Sequence, residues 1–105
     1  MTRVAIAGAA GRMGRALVAA CQAHEVLTLD HAFEHPGNEA VGQFAGTLAG
    51  TADPGPVIGD SIDGPAFDVL IDFTAPEASL ANLDYCAKSH ARMIIGTTGF
   101  DAAQK

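Results

Sequence analysis

The sequence predicts an α/β domain in which helices flank a parallel β-sheet. Short apolar runs, several of them closed by glycine or by an acid, alternate with longer segments whose apolar residues recur at helical spacing. Because helical segments separate successive strands, we expect βαβ units with right-handed crossovers. The 105 residues, 49% of them hydrophobic, suffice for one small core, so residues 1–105 are expected to form a single domain.

The strands are short and mostly apolar. They are predicted at Arg3–Ala7, Val26–Phe33, Val57–Ile58, Phe67–Phe73 and Arg92–Ile95. The first of them, Arg3–Ala7, is a short apolar run with β-branched members that glycine ends, which is typical of a buried strand.

Two longer helices connect these strands. The first is predicted over Arg12–Ala23, where apolar residues recur at helical spacing. The second begins near Pro76, since proline suits the first helical position, and runs to about Ser89. We expect its inner face to consist of Leu80, Leu83 and Ala87. A short helix over Ala40–Phe44 is one option for the weakly patterned middle of the chain, and Asp101–Lys105 resembles the opening of another helix.

A glycine-rich segment follows the first strand. Val4–Arg15 has the sequence VAIAGAAGRMGR. A strand, a glycine turn and a helix N-terminus form an anion site, because the backbone can approach a phosphate and the helix directs N–H groups at it. We expect Gly8 to allow the tight turn, Gly11 to leave room for a pyrophosphate, and Gly14 to let the helix pack against the sheet. One reading of Arg12 and Arg15 is that both are solvated helix residues; of the two, Arg12 is better placed to contact a cofactor, because it lies in the loop.

The pyrophosphate interpretation depends on context, because the spacing Gly-x-x-Gly-x-x-Gly is a variant of the usual motif and these glycines could serve a tight turn alone. A dinucleotide site also places an acid at the end of the second strand, about 20 residues on, to accept hydrogen bonds from the adenosine ribose. Glu34 stands twenty positions after Gly14, whereas Asp30, inside the strand, is the weaker alternative. The sequence therefore predicts a Rossmann-like, doubly wound parallel sheet that binds a dinucleotide.

Ligands of doubly wound sheets bind outside the carboxyl ends of the strands. The last predicted strand ends in Gly96, Thr97 and Thr98, whose hydroxyl and N–H groups would lie beside a nicotinamide. The alternative is a plain strand-to-helix turn with hydroxyl caps. Asp72 is either a functional acid or, more simply, a side chain that caps local backbone.

Composition excludes several classes of function. A formal net charge of −6 argues against nucleic-acid or anionic-membrane binding. No apolar run approaches the roughly 20 residues that span a bilayer, and signal-peptide features are lacking, so we expect a cytoplasmic protein. Cys21 and Cys86 are expected to be buried thiols without a disulfide. His31 and His35 lack the surrounding pattern of a metal site, and no metal is expected.

Three segments together closely resemble a known family. Val4–Arg15, Phe67–Glu77 (FDVLIDFTAPE) and Ile94–Asp101 (IIGTTGFD) are similar to the N-terminal domain of bacterial 4-hydroxy-tetrahydrodipicolinate reductase, also called dihydrodipicolinate reductase. The resemblance covers nearly the whole chain and is more specific than the glycine spacing. It implies hydride transfer from NADH or NADPH to an unsaturated cyclic dicarboxylate, in the diaminopimelate route to lysine.

The resemblance also implies roles for individual residues. Glu34 matches the acid that holds the adenosine ribose. Gly96, Thr97 and Thr98 match the segment that lines the nicotinamide, with Thr98 also close to bound substrate. The residues that resemble the pyrophosphate loop are Gly8, Ala9, Ala10, Gly11, Arg12 and Met13.

The sequence departs from the family pattern at three positions. Ala10 stands where the family often has glycine, and Ala75 where a basic residue is common. His35 replaces an arginine that often serves the 2′-phosphate of NADPH. Because a histidine is mostly neutral at pH 7, this replacement favours NADH or dual use.

The family's catalytic histidine and lysine, its basic substrate-binding motif and its oligomerising sheet belong to a C-terminal domain, and no residue here matches them. We therefore expect the chain to be a fragment of a longer, homo-oligomeric enzyme. It should bind nucleotide without turnover and carry no catalytic residue.

Two other classes of function remain open. One is a non-catalytic domain that senses NAD(H), which the glycine loop and Glu34 would fit equally well. The other is an α/β domain whose loops are only structural and which acts through protein contacts. The segment IGTTGF favours the reductase, because a sensor does not need a threonine beside the nicotinamide.

Overall fold

The centre of the fold is a parallel β-sheet. The computed structural model describes residues 2–63, 67–72, 76–89 and 91–95. Within these ranges the strands are β1 (Thr2–Ala7), β2 (Leu27–Phe33), β3 (Ile58–Gly59), β4 (Val69–Asp72) and β5 (Arg92–Ile95). They pair in the order β3-β2-β1-β4-β5, and every pair is parallel. The strand order reverses beside β1, so the expected Rossmann-like, doubly wound sheet is confirmed.

Three helices lie among the described residues: α1 (Arg12–Ala23), α2 (Ala45–Ala49) and α3 (Pro76–Ser89). The bounds predicted for the first helix are confirmed. The short helix lies at Ala45–Ala49, so its prediction over Ala40–Phe44 was wrong. Gly42 has a φ of 94°, a left-handed conformation that interrupts any helix there, and α2 ends at Gly50 with a φ of 82°. None of these helices is long and apolar enough to cross a bilayer.

Strand β1 is buried on both faces. Val4 and Ile6 pack in a cluster that includes Val18 of α1 and Ala45 of α2. Ala5 packs in a second cluster, which contains Leu70 of β4 and Cys86 of α3. This cluster therefore lies on the opposite face of the sheet. Two packed layers of helix therefore cover the central strand, and this explains its continuous apolar sequence.

Strand β2 contains a bulge at Asp30. Val4 pairs with Leu29 and the next residue, Ala5, pairs with His31, so Asp30 has no partner in the register with β1. One extra residue exchanges the faces of all residues that follow it. Leu29 packs on the α1 side before the bulge, and Ala32 does so after it. The side chain two positions after Ala32, that of Glu34, therefore points to the α1 side as well.

The inner face predicted for α3 was wrong. Leu80 and Leu83 are 62% and 45% exposed, and the buried residues are Asn82 and Cys86. The physical reason is a buried hydrogen bond, in which the Asn82 amide donates to the carboxylate of Asp72 at 2.8 Å. Asp72 is fully buried, and a buried carboxylate requires such donors.

Other differences are confined to strand ends. The predicted strand at Val57–Ile58 lies one residue later, because Val57 forms an antiparallel bridge with Phe44. Val26 precedes β2 and is 58% exposed. The helix expected from Asp101 lies outside the described residues.

Candidate cofactor site

The loop between β1 and α1 is shaped by a left-handed glycine and by the end of β2. Gly8 has a φ of 77°, which favours glycine, so its predicted role in a tight turn is confirmed. The N–H groups of Gly8 and Ala9 donate to the Phe33 carbonyl at 3.0 and 3.4 Å. The N–H of Gly11 donates back to the Gly8 carbonyl at 3.1 Å, which closes the turn.

The other two glycines of the loop serve different purposes. A Cβ added at Gly14 would lie 2.1 Å from the Gly8 carbonyl oxygen, so only glycine lets α1 approach the loop this closely. This confirms the packing role predicted for Gly14. A Cβ at Gly11 would meet the same oxygen at 3.4 Å, an ordinary contact, and Gly11 has a φ of −72°. The described protein atoms therefore do not require glycine at position 11.

Helix α1 begins without a side-chain cap. No described group accepts a hydrogen bond from the N–H groups of Arg12, Met13 and Gly14, whereas the Arg15 N–H donates to the Gly11 carbonyl at 2.9 Å. Arg12 is exposed, and Met13 is 50% exposed. We call these three N–H groups, which have no acceptor among the described residues, the open amides of α1. Together with the positive end of the helix dipole they suit an anion that approaches over Gly11.

Glu34 lies against this loop at the carboxyl end of β2. Its side chain is only 9% exposed, and its Oε2 accepts a hydrogen bond from the Ala10 N–H at 2.8 Å. The other oxygen, Oε1, lies 3.7 Å from Nδ1 of His35, whose side chain is 74% exposed. The structure thus brings together Glu34 and the glycine loop, two features that are 20 or more residues apart in the sequence.

Asp72 ends β4 next to the glycine loop, because it pairs in register with Ala7. Besides its hydrogen bond from Asn82, its charge contributes to the environment of Cys86. Burial, and secondarily the nearby Asp72 charge, raise the pKa of the Cys86 thiol. Burial likewise raises the pKa of Cys21. Both cysteines are buried and free, as predicted, and neither has the lowered pKa of a nucleophile.

The two histidines that the sequence places four apart do not form a site. His31 is buried, its Nε2 donates to the Ser61 carbonyl at 2.9 Å, and its ring stacks on Phe33. His35 is exposed beside Glu34. In the part of the chain that the structure describes, no group of three metal-ligating side chains occurs.

Gly96, Thr97 and Thr98, which we predicted to line the nicotinamide, lie outside the described residues. Two features were missed by sequence reasoning. One is the bulge at Asp30, for which the sequence gives no signal beyond the presence of an acid within an apolar strand. The other is the contact of Glu34 with Ala10.

The parallel sheet, the glycine turn and the open N-terminus of α1 define a Rossmann-like domain of the dinucleotide-binding class. A family model described as "Dihydrodipicolinate reductase, N-terminus" matches residues 2–105. The chain therefore belongs to the dihydrodipicolinate reductase family, as its N-terminal part.

A solved structure is similar in fold. It is a dipicolinate-bound dihydrodipicolinate reductase from Paenisporosarcina sp. TG-14, with a TM-score of 0.67 and 24% sequence identity. The match covers 99% of this chain and 40% of that one, so the chain spans about two fifths of the length of this relative.

Proposed function

We propose that the chain is the NAD(P)H-binding part of a reductase that converts 4-hydroxy-tetrahydrodipicolinate to tetrahydrodipicolinate in the diaminopimelate route to lysine. The family match over residues 2–105 supports this proposal. The single structural observation that carries it is the group of open amides at Arg12, Met13 and Gly14, for which the described residues provide no acceptor. These amides follow Gly11, a position at which contacts among the described protein atoms do not require glycine.

The pyrophosphate is proposed to bind at the N-terminus of α1. The amides of Gly8, Ala9, Ala10 and Gly11 already have acceptors within the protein, so the open amides of α1 are the donors that remain for phosphate oxygens. Gly11 would leave space for the phosphates, and the guanidinium of Arg12 would add charge attraction.

The adenosine ribose is proposed to bind at Glu34. The Ala10 N–H uses only one of the acceptor positions of this carboxylate. The remaining positions can accept hydrogen bonds from the ribose hydroxyls. A 2′-phosphate at the same place would meet this negative charge, and the neighbouring residue is His35 rather than an arginine with a fixed positive charge. These two residues favour NADH or dual use over a strict preference for NADPH.

The nicotinamide and the substrate are proposed to bind near Gly96, Thr97 and Thr98, with Thr98 also close to the substrate. The bound nicotinamide would supply the hydride. By analogy with the dipicolinate bound to the relative, the substrate would be a cyclic dicarboxylate. The groups that transfer protons are proposed to lie in the part of the family-length protein that this chain does not span.

Calorimetric titration of the chain with NADH, and separately with NADPH, tests the proposal. Binding of either nucleotide is expected, with NADH at least as tight as NADPH. Failure of a folded sample to bind either nucleotide would contradict a cofactor site. A Glu25→Ala variant is a suitable control, because Glu25 is exposed in the turn before β2, at the opposite end of the sheet.

The same titration with Glu34→Ala locates the ribose. Loss of the charged acceptor is expected to weaken NADH binding by about 1–3 kcal/mol. Unchanged NADH affinity in this variant would place the ribose elsewhere. In the family-length protein, NADH should be oxidised only when the substrate is added; tight NADH binding with no oxidation would favour the sensing alternative.

A further inference from the structure

The Ala10 amide is held differently from its neighbours in the glycine loop. The N–H groups of Gly8 and Ala9 donate to the main-chain carbonyl of Phe33, and the N–H of Gly11 donates to that of Gly8. The Ala10 N–H instead donates to the side chain of Glu34, at 2.8 Å. Among the four loop amides, this is the one whose hydrogen bond depends on the identity of a side chain.

Glu34 is itself firmly held. Its N–H donates to the Gly59 carbonyl of β3 at 2.9 Å, and its side chain is more than nine-tenths buried. The bulge at Asp30 also decides on which side of the sheet the carboxylate lies. If β2 were regular, position 34 would face the α3 side, away from the glycine loop. The sheet therefore holds an acceptor at a fixed place beside Ala10.

We propose that Glu34 is a positioning residue for the pyrophosphate loop, in addition to the ribose contact proposed above. This inference rests on the proposed function, because it concerns the same site. By accepting the Ala10 N–H, the carboxylate fixes the peptide between Ala9 and Ala10 and keeps the loop in the shape that leaves the α1 amides open. A loop that is ordered before the ligand arrives binds more tightly, since less conformational freedom is lost on binding.

Two variants separate this role from the effect of charge. Glu34→Gln and Glu34→Ala both remove the negative charge, but only glutamine retains a carbonyl oxygen that can accept the Ala10 N–H. The ligand should be 2′,3′-dideoxy-ADP, which carries a diphosphate but lacks the ribose hydroxyls that Glu34 would otherwise bind. A difference between the two variants for this ligand therefore cannot come from the ribose contact.

Two measurements are needed. Hydrogen exchange of the Ala10 amide, followed by NMR in the ligand-free chain, reports on the hydrogen bond itself. In Glu34→Ala this exchange is expected to accelerate roughly threefold to tenfold, and the affinity for 2′,3′-dideoxy-ADP to fall by a similar factor, as expected for one hydrogen bond. Glu34→Gln keeps an acceptor but loses its charge, so both values should fall between those of Glu34→Ala and those of Glu25→Gln, which removes an exposed acid far from the loop and serves as control.

The results distinguish the failure of this inference from failure of the proposed function. Equal behaviour of Glu34→Ala and Glu34→Gln in either measurement would overturn the positioning role, while NADH binding by the unmodified chain would still support a cofactor site. If the unmodified chain bound no dinucleotide, the cofactor proposal would fail, and with it the inference. Circular dichroism of each variant verifies that the fold is intact.

Discussion

Helices α1 and α3 pack on opposite faces of the same sheet, but different interactions orient them. On α1 the apolar pattern places Val18 and Cys21 in the core and Leu17 against it, although Met13, at the first turn, is 50% exposed. On α3 the two leucines face outward, and Asn82 is buried instead. The comparison shows that a strong apolar pattern determines which face of a helix is buried, whereas one buried hydrogen bond decides it where the pattern is weak.

The two faces of β1 explain part of this difference. Val4 and Ile6 present large side chains to α1, while Ala5 and Ala7 present only methyl groups toward α3. The α3 side also contains Asp72, which is fully buried and must be hydrogen-bonded. A helix residue with an amide satisfies this requirement, and a leucine does not.

The largest expected effect tests the close packing of α1. Gly14→Val would place a Cβ 2.1 Å from the Gly8 oxygen, so the helix or the loop must move. We expect a loss of about 3 kcal/mol or more in the free energy of unfolding. Urea denaturation measures it, with Ala16→Val, an exposed position of the same helix, as control. A wild-type midpoint for Gly14→Val would show that α1 packs less tightly than described.

Gly11→Val separates binding from stability in the same loop. Because a Cβ at position 11 makes only an ordinary contact, unfolding should change by less than about 1 kcal/mol. Nucleotide binding should be abolished, since the side chain would occupy the proposed pyrophosphate space. Urea denaturation and titration with NADH give the two values. Retained affinity in a folded variant would exclude the pyrophosphate from this position.

On α3 a polar residue should matter more than a leucine. Asn82→Ala removes a donor from buried Asp72 and should cost about 1–3 kcal/mol. Leu83→Ala, at a position that is 45% exposed, should cost less than about 1 kcal/mol. The two urea midpoints, measured side by side, show which of the two substitutions destabilises the chain more. If Leu83→Ala were the more damaging variant, the orientation that we describe for α3 would be incorrect.

The smallest effect concerns the ion pair between Arg3 of β1 and Asp68, which links the two halves of the sheet. Asp68, just before β4, accepts hydrogen bonds from the Arg3 guanidinium and from the Arg3 N–H, and these interactions lower the pKa of Asp68. Because folding lowers this pKa, the stabilisation is complete above the pKa of the unfolded chain and is lost as the pH falls through the folded value. The pair is exposed, so salt should weaken it.

Asp68→Asn tests this pair. The variant is expected to be slightly less stable than the unmodified chain at pH 7, and the difference should vanish on acidification below the folded pKa of Asp68. Urea midpoints at neutral and acidic pH measure the effect. A difference that persists unchanged at acidic pH would show that the carboxylate charge is not responsible.

The sequence was sufficient for the features that follow from local chemistry. The bounds of α1, the tight turn at Gly8 and the close packing at Gly14 were all predicted, because each leaves a signature within a few residues. The short helix was placed five residues early, because the left-handed conformation of Gly42 cannot be distinguished by sequence from a glycine tolerated in a helix.

Other features depend on contacts between distant segments. The burial of Asn82 depends on Asp72, ten residues away, and no periodicity reveals such a pair. The place of Glu34 at the end of β2 was predicted from spacing, but its hydrogen bond to Ala10 depends on a change of register inside the strand. Register is determined by pairing with β1, and it cannot be inferred from β2 alone.

The bulge in β2 has a consequence for the comparison of related sequences. The twenty positions from Gly14 to Glu34 include Asp30, which does not advance the pairing with β1. In a domain whose second strand is regular, the corresponding acid should stand nineteen positions after the last loop glycine, a count that follows from removing this one residue. An alignment that requires a constant interval between the last loop glycine and the acid would then pair the acid of one sequence with the residue beside the acid in the other. The physically correct alignment therefore has a gap within the second strand.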